Sequence, residues 1–341
     1  MDHLRRGPEL PCARGPLSAA VRAYLRGTRP LPRPEEAGGA APYGDDLQLA
    51  LYLCYELHYR GFAGVAAERE WDPPLLGVRA ALEHRFLTAL RADATVHGSL
   101  DDALGDLLVE PVDGAGVSHH LQDKGELWQV REYAAQRSLY HLKEADPHAW
   151  VLPRLWGRAK AAMAAVEFDE FGGGRTERVH ARLFAELMRD LGLDTTYGHY
   201  LDAATAEVLA TVNLMSLLGL HRELRGALVG HFAAVEITSS PGSRRLAEAM
   251  RRTGAGPAAE FFYDEHVEAD AVHEQVVRHE VIAGLLEEEP QLAADVAFGI
   301  DATGHLEDRL GDRLLTAWRA GRSSLRVPLD AETGRLVGEQ R

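Results

Sequence analysis

The stretch FFYDEHVEADAVHEQVVRHE, residues 261–280, holds three histidines and six acidic residues within twenty positions. Its pattern predicts a helix, and a period of 3.6 residues places His266, Asp270 and His273 on one face over two turns. Two neutral nitrogens and one carboxylate on the same side of a helix suit iron, manganese or zinc. Taken alone, the same residues are also compatible with a solvated acidic helix.

A second segment, VEFDEFGGGRTERVHARLF at 166–184, carries a related pattern. Glu170, Glu177 and His180 are spaced seven and three residues apart, so they return to nearly one face of a helix. Acid-x2-His pairs on facing helices, with carboxylates from other helices, are the donors of two-iron sites in helical bundles. The two segments together therefore predict a site for two metal ions.

A further carboxylate is expected from an earlier helix. Glu56 lies within LYLCYELHYRGF, residues 51–62, among apolar and aromatic residues. A buried glutamate is costly unless it is paired or coordinated, so Glu56 is a candidate for this carboxylate, with a glutamate at the helix surface as the alternative. His58, two residues along, faces another direction and is expected to lie beside the site or at the surface.

Helical periodicity continues along most of the chain, and strand signals are nearly absent. Only SSLRVPL at 323–329 alternates in a way that fits a short strand or coil. The chain is therefore predicted to be an all-α bundle. The domains expected are a Pro- and Arg-rich extension at 1–44, with one short helix near 17–26, a helical domain at 45–322 and a tail at 323–341. The helices expected beyond residue 120 cover about 123–143, 154–171, 175–192, 202–224, 226–238, 243–253, 258–286 and 290–320.

Composition limits the class of protein. The 341 residues are 46% hydrophobic and 26% charged, with a net charge of −15, which argues against binding to nucleic acid or anionic membranes. Only Cys12 and Cys54 are present, so neither a disulfide framework nor a cysteine zinc site is expected. Neither a signal peptide nor an apolar run long enough for a membrane span is apparent. These features predict a cytoplasmic protein.

The motifs together resemble the heme-oxygenase-like diiron oxidase family, often described as iron-containing redox enzymes. The segment DEFGGGRTERVHARLF at 169–184 is similar to the central motif of that family, and the resemblance covers roughly 45–290. It implies about seven core helices, two non-heme irons, O2 as co-substrate and no heme. The iron ligands that it implies are Glu56, Glu170, His180, His266, Asp270 and His273, with Glu177 as an additional carboxylate that coordinates in some states.

The same resemblance implies an O2-dependent oxidase or oxygenase that acts on a small organic substrate in a biosynthetic pathway. N-oxygenation of an amine or amino acid, oxidative C–C cleavage and desaturation all fit the family. A reductant and a homodimeric state stay open. One alternative is a non-catalytic helical interaction protein, which would bind no metal tightly. The other is a ferritin-like diiron carboxylate protein with the donors Glu56, Glu177, His180, Glu236, Asp270 and His273.

Three consecutive glycines, 172–174, interrupt the second segment. Each glycine inside a helix costs about 0.8–1.0 kcal/mol relative to alanine, so three weaken the segment by roughly 2–3 kcal/mol. Either a turn separates Glu170 from Glu177, or a marginal helix in this segment is ordered by metal binding.

Overall fold

The computed structural model describes residues 7–31, 39–94, 96–110, 114–330 and 333–337. Within these ranges the fold is all-α, which confirms the predicted class, and β-structure is limited to one isolated antiparallel bridge between Leu329 and Leu336. No helix in the described ranges combines the length and apolarity needed to cross a membrane. The α-helices are α1 (Pro16–Leu25), α2 (Asp45–Tyr55), α3 (Pro73–Asp93), α4 (Leu100–Leu107), α5 (Val117–Asp123), α6 (Leu127–His141), α7 (Asp146–Ala149), α8 (Gly157–Glu170), α9 (His180–Asp190), α10 (Ala206–Leu220), α11 (Arg225–Thr253), α12 (Pro257–Val276), α13 (Ala283–Glu288) and α14 (Ala293–Arg319).

Helix α1 lies within the predicted N-terminal extension and packs on α2. Its buried side chains Leu17, Val21 and Leu25 recur at helical spacing and join the main hydrophobic core. The short helix expected near 17–26 is therefore present. The division of the chain at residue 45 stays a prediction.

The bundle is centred on α10, α11, α12 and α14. Helix α10 is buried along nearly its whole length, as its continuous apolar sequence requires. Helices α11 and α14 cross at two glycines: a Cβ atom on Gly230 would lie 1.9 Å from the Val296 carbonyl oxygen, and one on Gly299 would lie 2.0 Å from that of Ala227. Only glycine allows this close approach, which sets α11 firmly against the core.

Helix α11 differs from the expected pair of helices, because residues 239–242 continue it without a turn. Pro241 lies inside the helix, where it removes one main-chain hydrogen bond. At this stretch α11 packs against α12, and the Ser240 hydroxyl donates a hydrogen bond to the Val267 carbonyl oxygen. Tertiary packing therefore outweighs the turn signal of Ser-Ser-Pro-Gly.

The chain between α8 and α9 is not helical throughout. Gly172, Gly173 and Gly174 have φ angles of 75°, 59° and 78°, in the left-handed region that glycine adopts without strain. Two short 3₁₀ turns, Gly172–Gly174 and Thr176–Arg178, connect the helices, and α9 begins at His180. Of the two alternatives for the glycines, this structure has the turn.

Helix α12 contains the segment with three histidines and leads directly into a π-helical stretch, Val277–Ile282, and then α13. The predicted helix over 258–286 is thus essentially continuous, with one wider turn that begins four residues after His273. Single π-helical turns inside α-helices occur frequently at functional sites.

Candidate metal centre

Among the described residues, two groups of buried side chains that could hold a metal ion lie within the bundle. Within each group, one donor atom from every residue lies within 4.8 Å of the others. Group A consists of Glu144, His180 and His266. Group B consists of Glu170, Glu236, Asp270 and His273.

Five parts of the chain supply these donors. Helix α12 contributes three, because the spacing in His266-x3-Asp270-x2-His273 keeps all of them on its buried face. Helix α8 ends with Glu170, α9 begins with His180, and the two helices flank the glycine turn. Glu236 comes from the interior of α11 and Glu144 from the turn between α6 and α7.

Glu170 connects the two groups. Its Oε2 lies 2.8 Å from Nδ1 of His180 in group A, and its Oε1 lies 3.5 Å from Nδ1 of His273 in group B. The shorter contact lacks hydrogen-bond alignment, since His180 Nδ1 has no hydrogen-bond partner. One carboxylate thus presents an oxygen to each group, as a carboxylate that bridges two cations does.

The imidazole of His266 is oriented for metal binding in group A. Its Nδ1 donates a hydrogen bond to the Phe262 carbonyl oxygen at 2.6 Å, so in the neutral imidazole the lone pair lies on Nε2. That Nε2 lies 3.8 Å from Glu144 Oε1 and has no hydrogen-bond partner. Glu144 Oε2 also has none. Buried polar atoms without partners, on side chains whose ligand atoms lie within 4.8 Å of one another, fit a cation there.

Group B combines three carboxylates with one imidazole. His273 Nδ1 lies 3.2 Å from Glu236 Oε2 and 3.7 Å from Asp270 Oδ1, while Asp270 Oδ2 has no hydrogen-bond partner. Burial, together with the charges of Asp270 and Glu170, raises the pKa of Glu236 to about 8 despite the opposing effect of His273. A cation with several oxygen ligands would stabilise the ionised forms of these buried carboxyl groups.

The histidines of both groups retain protons unusually well. Burial alone lowers the pKa of His266, but its contact with Glu144 and the charges of Asp270 and Glu170 raise it to about 10. Burial also lowers the pKa of His273, but Glu236, Glu170 and Asp270 have the larger opposite effect and raise it to about 9. Protonated imidazoles therefore balance the carboxylates in metal-free protein, where metal cations would otherwise do so.

The structure brings five of the seven predicted ligands together: Glu170, His180, His266, Asp270 and His273. Glu56 belongs to neither group, and we correct its assignment. Its Oε2 accepts a hydrogen bond from Lys143 Nζ at 2.9 Å, and its Oε1 accepts one from the Tyr197 hydroxyl at 2.7 Å. The buried glutamate does need a partner, as its surroundings suggest, but that partner is a lysine.

Glu177 also lies outside both groups. It is exposed, in the 3₁₀ turn Thr176–Arg178, because the chain leaves the helical path at the glycines. The predicted common face of Glu170, Glu177 and His180 requires a continuous helix and is absent here. His58 lies beside another charged cluster, with Nδ1 3.1 Å from Glu70 Oε1.

Two donors were missed or assigned only to the ferritin-like alternative. Glu144 follows His141 by three residues, and His141 Nδ1 lies 2.9 Å from Glu144 Oε1, so an acid–histidine spacing was available as a signal. Glu144 lies in a turn, so a pattern based on helix faces does not identify it. Glu236 is a lone acid in an apolar helix, the same signal that suggested Glu56.

A cavity of about 550 Å³ adjoins both groups. Its wall includes Glu144 and His266 of group A and Glu170, Glu236 and Asp270 of group B. Apolar and aromatic side chains make up much of the remainder, among them Leu214, Met215, Phe232, Leu246, Phe262 and Leu306. The donors therefore face a space large enough for a small organic molecule.

A directed chain of hydrogen bonds forms one polar part of the cavity wall. The Thr303 hydroxyl donates to the Gly299 carbonyl oxygen, so it accepts from Nδ1 of His231 at 2.8 Å. His231 Nε2 then accepts from Nε2 of His148, whose Nδ1 lies 3.5 Å from the Tyr140 hydroxyl. Burial lowers the pKa of His231 to about 4 and that of His148 well below its usual range, so both are neutral.

A charged pair forms another part of the wall. Arg137 donates two hydrogen bonds to Glu307, at 2.8 Å and 2.5 Å, and both residues line the cavity. The nearby charge of Arg137 lowers the pKa of Glu307 against the opposing effect of burial. The cavity thus offers apolar surface together with a few fixed polar groups.

A family model described as iron-containing redox enzyme matches residues 131–308, just over half of the chain. All seven residues of groups A and B lie within the matched range, whereas Glu56 lies outside it. A comparison with curated proteins found no match.

Proposed function

Since the chain belongs to the family of iron-containing redox enzymes, which has a heme-oxygenase-like all-α fold, we propose that it is a non-heme diiron enzyme. In this proposal it uses O2 to oxidise a small organic substrate. The observation that carries the proposal is the position of Glu170, which presents one carboxylate oxygen to each of two buried donor groups. Two cations that share one carboxylate are the arrangement of diiron sites in helical bundles.

The donors divide between the two ions. Group A offers one carboxylate and two imidazoles, and group B offers three carboxylates and one imidazole. Iron bound there supplies the activation of O2. The carboxylates neutralise its positive charge, while the Phe262 carbonyl oxygen holds His266 in the tautomer whose Nε2 is available.

The cavity supports a small organic substrate. It adjoins both groups, so a molecule bound there reaches the metal donors and covers the apolar part of the wall. The neutral His231 and His148 offer hydrogen bonds without adding charge. N-oxygenation of an amine or amino acid, C–C cleavage and desaturation stay the proposed reaction types, and the biosynthetic role, reductant and cytoplasmic compartment stay predictions.

The ferritin-like alternative is less well supported. It uses Glu56 and Glu177, which lie outside the two groups, and it leaves Glu170 and His266 without a role. It does include Glu236, which belongs to group B. The non-catalytic alternative leaves several buried polar atoms at the two groups without partners, an arrangement that a structural helix packing does not need.

The direct test is anaerobic titration of metal-free protein with Fe(II), followed by exposure to O2. We expect two irons per chain and rapid oxidation of both by O2, because the two donor groups are linked by Glu170. Candidate substrates are then screened for those that change the rate of that oxidation and are themselves converted. Protein that binds no iron, or one iron per chain, would contradict the diiron proposal.

The absence of heme from the functional protein is a separate prediction. The histidines of both groups are surrounded by carboxylates, which favour small hard cations rather than a porphyrin with its single iron. Purified protein is expected to lack a Soret band, and added hemin is expected to remain undegraded. A stoichiometric heme complex with formation of bilin would overturn the assignment of the donors.

We also predict that iron orders the segment between α8 and α9. Glu177 is exposed in this structure, and it reaches a metal only if the glycine turn winds into a helix. Hydrogen exchange across 168–180 should therefore slow when Fe(II) is added anaerobically, with little change in 75–92 of α3. In Glu177→Gln protein the slowing should shrink while the iron remains bound. Equal protection with and without iron would show that the glycines serve the turn alone.

A further inference from the structure

The turn that presents Glu144 has an unusual backbone. Residues 142–145 connect α6 to α7, and Ala145 has a φ angle of 73°. No other non-glycine residue in the described part of the chain has a positive φ. Alanine in the left-handed region is strained, so surrounding contacts must hold the turn in this conformation. The strained residue directly follows a donor of group A.

A second turn, residues 56–60 at the end of α2, is hydrogen-bonded to the first. Lys143 Nζ donates to Glu56 Oε2 at 2.9 Å, and the side chains are only 1% and 0% exposed. Arg60 Nη2 donates to the Leu142 carbonyl oxygen at 2.7 Å. The Tyr197 hydroxyl fixes the other oxygen of Glu56. Two successive residues before Glu144 are therefore attached to one remote turn.

The free energy needed to remove Glu56 and Lys143 from water offsets much of the attraction between their charges. Both charges are fully removed from water, and apolar side chains of similar volume at such positions are often at least as stabilising. The pair instead fixes the orientation of the turn that carries Glu144. With Lys143 bound to Glu56 and Ala145 in the left-handed region, the adjacent side chain of Glu144 is directed to His141 and His266.

We infer that Glu56 is a positioning residue, which acts through Lys143 on the left-handed turn so that Glu144 is held in place as a metal donor of group A. This inference rests on the proposed function. Glu56 touches no donor of either group, and its effect is specific to one of the two ions. Loss of the pair should therefore weaken metal binding in group A and spare group B.

The test is the double variant Glu56→Gln/Lys143→Met in the full-length chain. Glutamine still accepts the Tyr197 hydrogen bond and methionine keeps a long unbranched side chain, so no buried charge is left unpaired. Metal-free variant and wild type are titrated anaerobically with ⁵⁷Fe(II) and followed by Mössbauer spectroscopy, which distinguishes two differently coordinated ferrous ions. Circular dichroism and thermal unfolding monitor the fold.

We expect normal helicity and normal iron binding in group B. Iron binding in group A should be at least about tenfold weaker, as is typical when a residue that orients a metal ligand is lost. A matched control is Arg225→Met/Glu289→Gln, which removes another largely buried ion pair that contacts neither group. The control should retain both irons. Wild-type affinity for both irons in Glu56→Gln/Lys143→Met protein would overturn the inference and leave the diiron proposal standing. Failure of the wild type to bind two irons would instead defeat the diiron proposal.

A rescue experiment separates positioning from general stability. Glycine adopts the positive φ of Ala145 without strain, so adding Ala145→Gly to the double variant should restore part of the lost affinity in group A. No restoration would show that the pair does not act through this turn. If the double variant does not fold, Lys143→Met tests the link between the two turns alone, since Glu56 keeps its hydrogen bond from Tyr197: several-fold weaker binding in group A supports the inference, and wild-type affinity overturns it.

Discussion

Glu170→Gln protein should lose tight binding of both irons and all measurable O2-dependent turnover. Glu170 offers one oxygen to group A and the other to group B, and an amide is a far weaker metal ligand than a carboxylate. Loss of an outer partner of a metal ligand typically costs 10–100-fold, so loss of a shared ligand should cost more than about 100-fold. Iron analysis after gel filtration and single-turnover oxidation by O2 measure the two effects.

Substitutions in group A and in group B should each remove a different iron in the same assays. His266→Ala is expected to lose the iron of group A, and His273→Ala that of group B, while helicity is retained in both. Glu268→Ala is the matched control, because this exposed carboxylate lies on the same helix, α12, and belongs to neither group. Normal iron content and full activity in His266→Ala or His273→Ala protein would remove these residues from the site.

Metal-free protein should become much less stable as the pH rises from about 6 to 10. The folded-state pKa values of His266 and His273, about 10 and 9, exceed the usual value of about 6.5 for histidine. Their protonated forms thus stabilise the fold fully below about pH 6.5, and this contribution is lost as the pH rises through 9 and 10. Ionisation of Glu236, with a pKa of about 8, acts in the same direction.

The expected loss is on the order of a few kcal/mol, or roughly 5–10 °C in thermal midpoint. Iron should remove most of this dependence, because the cations replace the protons that the histidines carry. His266→Gln should reduce the pH dependence of the metal-free protein, whereas His84→Gln, at an exposed position, should leave it unchanged. A thermal midpoint that is constant between pH 6 and 10 would contradict the charge balance described for the two groups.

The sequence was most informative where chemistry and helix period coincide. His266, Asp270 and His273 lie on one helix, so their spacing alone determines that they share a face. Glu170 and His180 do lie close together, although for another reason than the predicted one: they meet across a turn rather than along one helix. Local pattern therefore located most of the centre.

Donors that depend on tertiary contacts were harder to identify. The apolar surroundings of Glu56 indicate that it needs a partner, but they do not distinguish a metal from Lys143, 87 residues away in the chain. Glu144 is presented by an irregular turn, for which no periodicity exists. Helix α11 continues through Pro241 because packing outweighs local propensity. These features follow from the assembled bundle and not from any single segment.

The unequal division of carboxylates between the two groups has a consequence for the order in which the centre fills. Glu144, Glu170, Glu236 and Asp270 carry four negative charges when ionised, which match the four positive charges of two ferrous ions. Three of the four belong to group B, so a first divalent cation entering the protein should settle there. With that ion in place, Glu170 is already partly neutralised, and the second ion meets a weaker attraction. Loading should therefore be sequential, and a protein starved of iron should accumulate with a single ion in group B.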